Sequence, residues 1–95
     1  MSAVWSNIKS AIASEKWIVS YHAAMRLRQR RVASWQVASG AAAARLLAVR
    51  EDAEPNPSVE VQVELPDGAA CRCVWAWLSD DRAALLVTVY FGTQA

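Results

Sequence analysis

The stretch from Ser58 to Phe91 most constrains the fold, because three apolar runs are separated there by short turns. SVEVQVEL (58–65) alternates strictly. LPDGAA carries Asp67-Gly68, and CRCVWAWL (71–78) leads through SDDR into ALLVTVYF (84–91). Period-two alternation reads as strand, and tight turns between such runs make an antiparallel meander. With Asp67-Gly68 as the central pair of a type I′ turn, Leu65 opposes Ala70. A four-residue loop at 79–82 makes Leu78 oppose Ala83. These registers place Val61, Val74 and Val87 in one row, with Val59, Ala76 and Leu85 beside it and Val63, Arg72 and Val89 next. The other face then receives Glu60, Trp75 and Leu86; Gln62, Cys73 and Thr88; and Glu64, Cys71 and Tyr90. A one-residue slip would exchange the faces. The expectation is a valine wall for helices to cover and a mixed, bare face displaying Trp75, Trp77 and Tyr90.

The first half reads as helix. Ser2 can cap a segment whose Val4, Ile8, Ala11 and Ile12 follow helical spacing. Trp17 to Val19 is a short extended or connecting piece. Ser20 caps a second helix running to about Arg31, and Ser34 caps a third, containing Trp35, Val37, Ala38 and Ala41 and weakened by Gly40. Leu46 to Arg50 suits a short first strand, and EDAEPNPS (51–58) is an acidic loop that no helix tolerates. The expected fold is α+β, with two to three N-terminal helices on one face of a three- to four-stranded antiparallel meander. The chain reads as a single domain, 1–95, with a helical half at 1–45 and a sheet at 46–91. Ninety-five residues, 55% of them apolar, can bury a core without cross-links.

Charge is divided unevenly along the chain. Residues 1–50 carry eight Lys/Arg and one acid, a balance of +7, and residues 51–95 carry two Arg and eight acids, a balance of −6. One pole suits an anion and the other a basic partner or self-association, unless the halves neutralise each other in the fold. No apolar run reaches the length of a signal peptide or a membrane span, so a cytoplasmic protein is expected. Cys71 and Cys73 lie two apart on one strand, near the upper limit for bridging, and are expected as free thiols. One His with a CxC pair is too few ligands for a metal site. No cofactor is expected.

The helix SYHAAMRLRQRR, Ser20 to Arg31, holds the only histidine and four of the ten basic residues. His22, Arg26, Gln29 and Arg30 fall in one sector of an ideal helix. In the first turn, the helix dipole and the nearby arginines disfavour a proton on the His22 ring. A neutral imidazole can accept the proton of a ribose 2′-hydroxyl, while arginines one and two turns on hold the phosphate. Tyr90 is the candidate general acid by type. The plainer alternative is the wet side of an ordinary helix.

The run S-x-H-A-x-x-R-x-x-x-R, here Ser20, His22, Ala23, Arg26 and Arg30, is followed by Val32, Pro57, the PDG turn, Val74 and Thr88-Val89-Tyr90. It resembles the small bacterial proteins grouped as domain of unknown function 4258, over residues 17–91. Arg31 stands where that family usually has glycine. The resemblance implies a RelE-type toxin-like fold and an antitoxin partner, with His22, Arg26, Arg30 and Tyr90 as the positions to test. The leading expectation is therefore a toxin-like component of a toxin–antitoxin pair acting as a metal-independent endoribonuclease. Arg28 and Arg31 would then follow the RNA backbone. The alternatives are a non-catalytic module docking a protein partner through Trp75 and Trp77 or the acidic loop from Glu51 to Glu54, and a homodimer joined through that aromatic face. DNA reading is disfavoured, because the helix-turn-helix signature is incomplete and the second half is acidic.

Overall fold

The computed structural model describes residues 2–91. Along the chain run α1 (Ala3–Ala13), β1 (Trp17–Val19), α2 (Tyr21–Gln29), α3 (Ser34–Ser39), a 3-10 turn (Ala41–Ala43), β2 (Arg45–Arg50), β3 (Ser58–Glu64), β4 (Ala70–Leu78) and β5 (Ala83–Phe91).

Local chemistry sets the helix ends. Ser2 Oγ accepts from the Trp5 N–H at 3.1 Å, and Ser20 Oγ accepts from the Ala23 N–H at 3.0 Å. The third helix is capped differently from expectation. Ala33 is its cap, Ser34 is already helical, and Gln36 Oε1 reaches back to the Ala33 N–H at 2.9 Å. α2 stops two residues short of Arg31. Its end is a Schellman closure, with Arg31 N–H donating to the Arg28 carbonyl and Val32 N–H to the Leu27 carbonyl. Arg31 occupies the left-handed position at φ 56°, where glycine would sit without a Cβ penalty. α1 closes the same way, with Glu15 at φ 61°.

The five strands form one mixed sheet in the order β1-β5-β4-β3-β2. The expected sheet had no more than four strands, all antiparallel. The additional strand, β1, pairs parallel with β5 through Trp17–Ala84, Ile18–Leu85 and Val19–Leu86. Three residues show no period of their own, and only the free edge of β5 makes them a strand.

The meander is present, but its register differs from expectation. Gly68 N–H donates to the Leu65 carbonyl at 2.8 Å, so Pro66 and Asp67 are the central pair of the turn and Gly68, at φ 90°, follows them. Proline prefers the first central position, and the left-handed glycine completes a three-residue loop. Leu65 therefore opposes Ala69, and β3 slides by one residue against β4, giving Val59–Trp75, Val61–Cys73 and Val63–Cys71. Between β4 and β5 the expected pairing holds from Leu78–Ala83 to Trp75–Leu86. An extra residue, Val87, then makes a bulge, after which Cys73 opposes Val89 and Arg72 opposes Tyr90.

The slip exchanges the faces of β4. The covered face carries Val59, Val61, Val63, Cys71, Cys73, Trp75, Leu86 and Val89, all buried against Trp5, Ile8 and Ile12 of α1, Ala23 and Leu27 of α2, and Val37 of α3. Val74 and Arg72 stand on the bare face with Glu60 and Gln62 instead. Trp75 is fully buried and meets Trp17 edge-on, with centroids 6.3 Å apart. Its indole N–H lacks a partner among the described residues, a cost of about 1–3 kcal/mol, comparable to what burying one large apolar side chain contributes. Gly40 is required by packing, because a Cβ there would lie 2.5 Å from Val63 Cγ1.

Candidate functional site

Beyond Leu86, β1 no longer covers the outer edge of β5, and α2 takes its place. Ser20 N–H donates to the Leu86 carbonyl at 3.0 Å, ending the strand pairing. Ser20 Oγ then donates to the Val87 carbonyl at 2.7 Å, and Arg26 Nε donates to the Val89 carbonyl at 2.6 Å. A helix offers no backbone ladder to a strand, so two of its side chains supply the donors that the edge needs. Between them Ala23, without exposed surface, lets the helix approach. Ser20, Ala23 and Arg26 of the S-x-H-A-x-x-R run thus dock α2 onto β5, a role that spacing alone did not reveal.

The same docking builds a cationic and aromatic edge. Arg26 spends Nε on the strand and keeps both Nη groups free of protein partners among the described residues, with its guanidinium carbon 5.8 Å from the centre of the Tyr90 ring. Arg72, directly across from Tyr90 on β4, lies 5.9 Å from the same ring. Arg30 stands 5.3 Å from the Phe91 ring. Tyr90 and Phe91 are successive strand residues facing opposite sides, so Arg26 and Arg30 straddle the end of β5 rather than forming one clamp. Each guanidinium–ring contact is worth on the order of 0.5–1 kcal/mol where water reaches it.

His22 is exposed one helical turn before Arg26, with no hydrogen bond among the described residues. Arg28 and Arg31 are exposed beside it on α2 and its closure. None of these four arginines of the helix region pairs with a carboxylate among the described residues; the ion pairs present are Arg50–Glu60 and Arg72–Glu60, each 3.4 Å. The structure therefore brings Arg26 and Tyr90 together at the sheet edge, with His22 on the adjoining turn. Arg72 was not foreseen as part of this site. The PDG register turns Arg72 to the bare face beside Gln62, and the bulge at Val87, which has no signal in the sequence, then brings Tyr90 opposite it.

Trp75 and Trp77 are corrected. Both stand on the covered face, Trp75 without exposed surface and Trp77 half-buried against the core. A partner or a second copy could not be held by a ring sealed under α1. Cys71 and Cys73, also expected on the bare face, are buried free thiols with their sulfurs 3.9 Å apart. Among the described residues no group of three His, Cys, Asp or Glu is placed to hold a metal ion, and no helix is long and apolar enough to cross a membrane.

The family model described as "Domain of unknown function (DUF4258)" matches residues 19–91, more than half of the chain. No curated protein and no solved structure matches it.

Proposed function

The chain belongs to the family of domain of unknown function 4258, and on that premise we propose that it is a toxin-like, RNA-cleaving component of a toxin–antitoxin pair. One arrangement supports this reading. Arg26 is held by the Val89 carbonyl against Tyr90, with an exposed His22 one turn away on the same helix.

The reaction that these groups suit is transesterification at a phosphodiester. His22 takes the proton of the 2′-hydroxyl as that oxygen bonds to phosphorus. The bond from phosphorus to the 5′-oxygen breaks, and Tyr90 supplies the proton that the leaving oxygen needs. A 2′,3′-cyclic phosphate and a free 5′-hydroxyl result. The Nη groups of Arg26 face the phosphate as charge gathers on its oxygens, while Arg30, on the far side of the strand, adds only to the positive field of the edge. Arg28 and Arg31 attract the flanking backbone. An antitoxin would silence the domain by covering the same edge.

The test is cleavage of end-labelled RNA by the purified protein in the presence of a chelator, followed on gels. Wild type should yield cyclic-phosphate ends, and His22→Ala should be slower by about 10²–10⁴-fold. Equal cleavage by the two proteins would remove His22 from the mechanism. Intact RNA with both would end the ribonuclease reading.

A further inference from the structure

The pairing registers set four residues in a row on the bare face of the sheet. Arg45 opposes Gln62, Gln62 opposes Arg72, and Arg72 opposes Tyr90, so their side chains project from one side across β2, β3, β4 and β5. All four are exposed. Strand spacing makes the row roughly 14–15 Å long, and Arg26 extends it past the edge of β5. Among the described residues no helix covers this face, since α1, α2 and α3 all bury their apolar residues in the core on the other side.

We propose that this row is a binding track for single-stranded RNA, crossing the strands from the α2 edge toward β2. It rests on the RNA-directed reading above for the identity of its ligand, but not on cleavage. Tyr90 presents an exposed ring with the guanidinium groups of Arg26 and Arg72 over it. A base takes the place of one of them, since a stacked base is held more tightly than a water-exposed guanidinium, and the displaced arginine turns to a neighbouring phosphate. Gln62 adds an amide able to donate to or accept from a base edge. Arg45 ends the track with a further cation at the far strand.

The acids on this face shape the path. Glu60 accepts a hydrogen bond from Arg50 and forms an ion pair with Arg72, at 3.4 Å each, so its charge is shared and it steadies Arg72 beside the ring. Glu64, exposed on β3 two residues beyond Gln62, repels phosphate and confines the strand to the row between these two acids. Duplex RNA presents its bases stacked and paired, which leaves Tyr90 nothing to stack on. The track therefore selects unpaired RNA.

The experiment measures fluorescence anisotropy with a short labelled single strand carrying 2′-O-methyl riboses, which cannot be cleaved. Arg45→Ala and Arg72→Ala should each weaken binding and reduce the slope of log K against log salt by about 0.7. Tyr90→Ala should weaken it about ten-fold with the slope unchanged. The same sequence as a duplex should bind more weakly. Unaltered affinity in Arg45→Ala and Arg72→Ala, or competition by polyglutamate as strong as by unlabelled RNA, overturns the track. The two proposals separate cleanly. Cleavage that depends on His22 with no effect of Arg45 or Arg72 leaves the ribonuclease and removes the track. Binding that depends on Arg72 and Tyr90 without any cleavage does the reverse.

Discussion

Arg26 and Val89, 63 residues apart in sequence, are joined by a hydrogen bond of 2.6 Å from the guanidinium Nε to the backbone carbonyl. The bond fastens the second helix to the last strand, where no strand partner remains, and it aims the rest of the guanidinium at Tyr90. Arg26→Met should cost about 1–3 kcal/mol, because a part-buried carbonyl loses a charged donor. Arg26→Lys, which keeps the charge without the Nε geometry, should recover only part of the loss. Thermal denaturation of the three proteins checks this, and an unchanged midpoint in Arg26→Met would deny the fastening role.

Ser20 does two jobs with one hydroxyl, accepting from Ala23 N–H at the helix start and donating to the Val87 carbonyl. Ser20→Ala should lower stability by about 1–2 kcal/mol. Ser2→Ala, which loses a cap alone, should cost less. Denaturant unfolding of both variants compares them directly.

Arg31 sits at φ 56° in the closure of α2. Arg31→Gly should relieve the left-handed strain and stabilise the fold by about 1 kcal/mol, raising the melting midpoint by roughly 4–8 °C. A midpoint that falls would mean that the Arg31 side chain contributes more than its backbone costs. Gly40 behaves oppositely. Its added Cβ would meet Val63 Cγ1, a fully buried atom group with little room to shift, so Gly40→Ala should destabilise by about 1–3 kcal/mol.

The Cys73 thiol is pushed up from its ordinary value, first by its hydrogen bond with Cys71 and then by burial, while the same bond lowers Cys71 against the opposing effect of burial. Above the usual thiol range, near 9.0, the unfolded chain has shed both protons and the folded pair still holds the one on Cys73. The unfolded state then binds fewer protons, so this contribution is fully present below that range and lost as pH rises beyond it. The loss should approach about 1.4 kcal/mol per pH unit. Urea unfolding from pH 8 to 10 measures it, and Cys73→Ala should show a shallower decline than wild type.

Much of the local structure was legible in the chain. Ser2 and Ser20 cap their helices because a hydroxyl before an amphipathic run has free N–H groups within reach, and neither needs a distant partner. The strands of the meander follow from side-chain alternation, and the free thiols from the spacing of Cys71 and Cys73. His22 as an exposed residue of the first helical turn is equally local.

Faces and neighbours were decided by tertiary structure. The PDG loop can place either Pro66-Asp67 or Asp67-Gly68 at its centre, and the two choices differ by one residue of register. Because side chains alternate with period two, that one residue carried Trp75 and both cysteines into the core and set Arg72 outside, where the bulge at Val87 brings Tyr90 opposite it. The parallel strand at Trp17–Val19 likewise exists only because β5 has an edge to be completed, and the bulge at Val87 emerges only in the pairing of β5 with β4. Caps and alternation are settled by atoms a few bonds apart, within reach of local pattern. The choice of face is settled by which packing buries the most apolar surface, and that is a property of the whole chain at once.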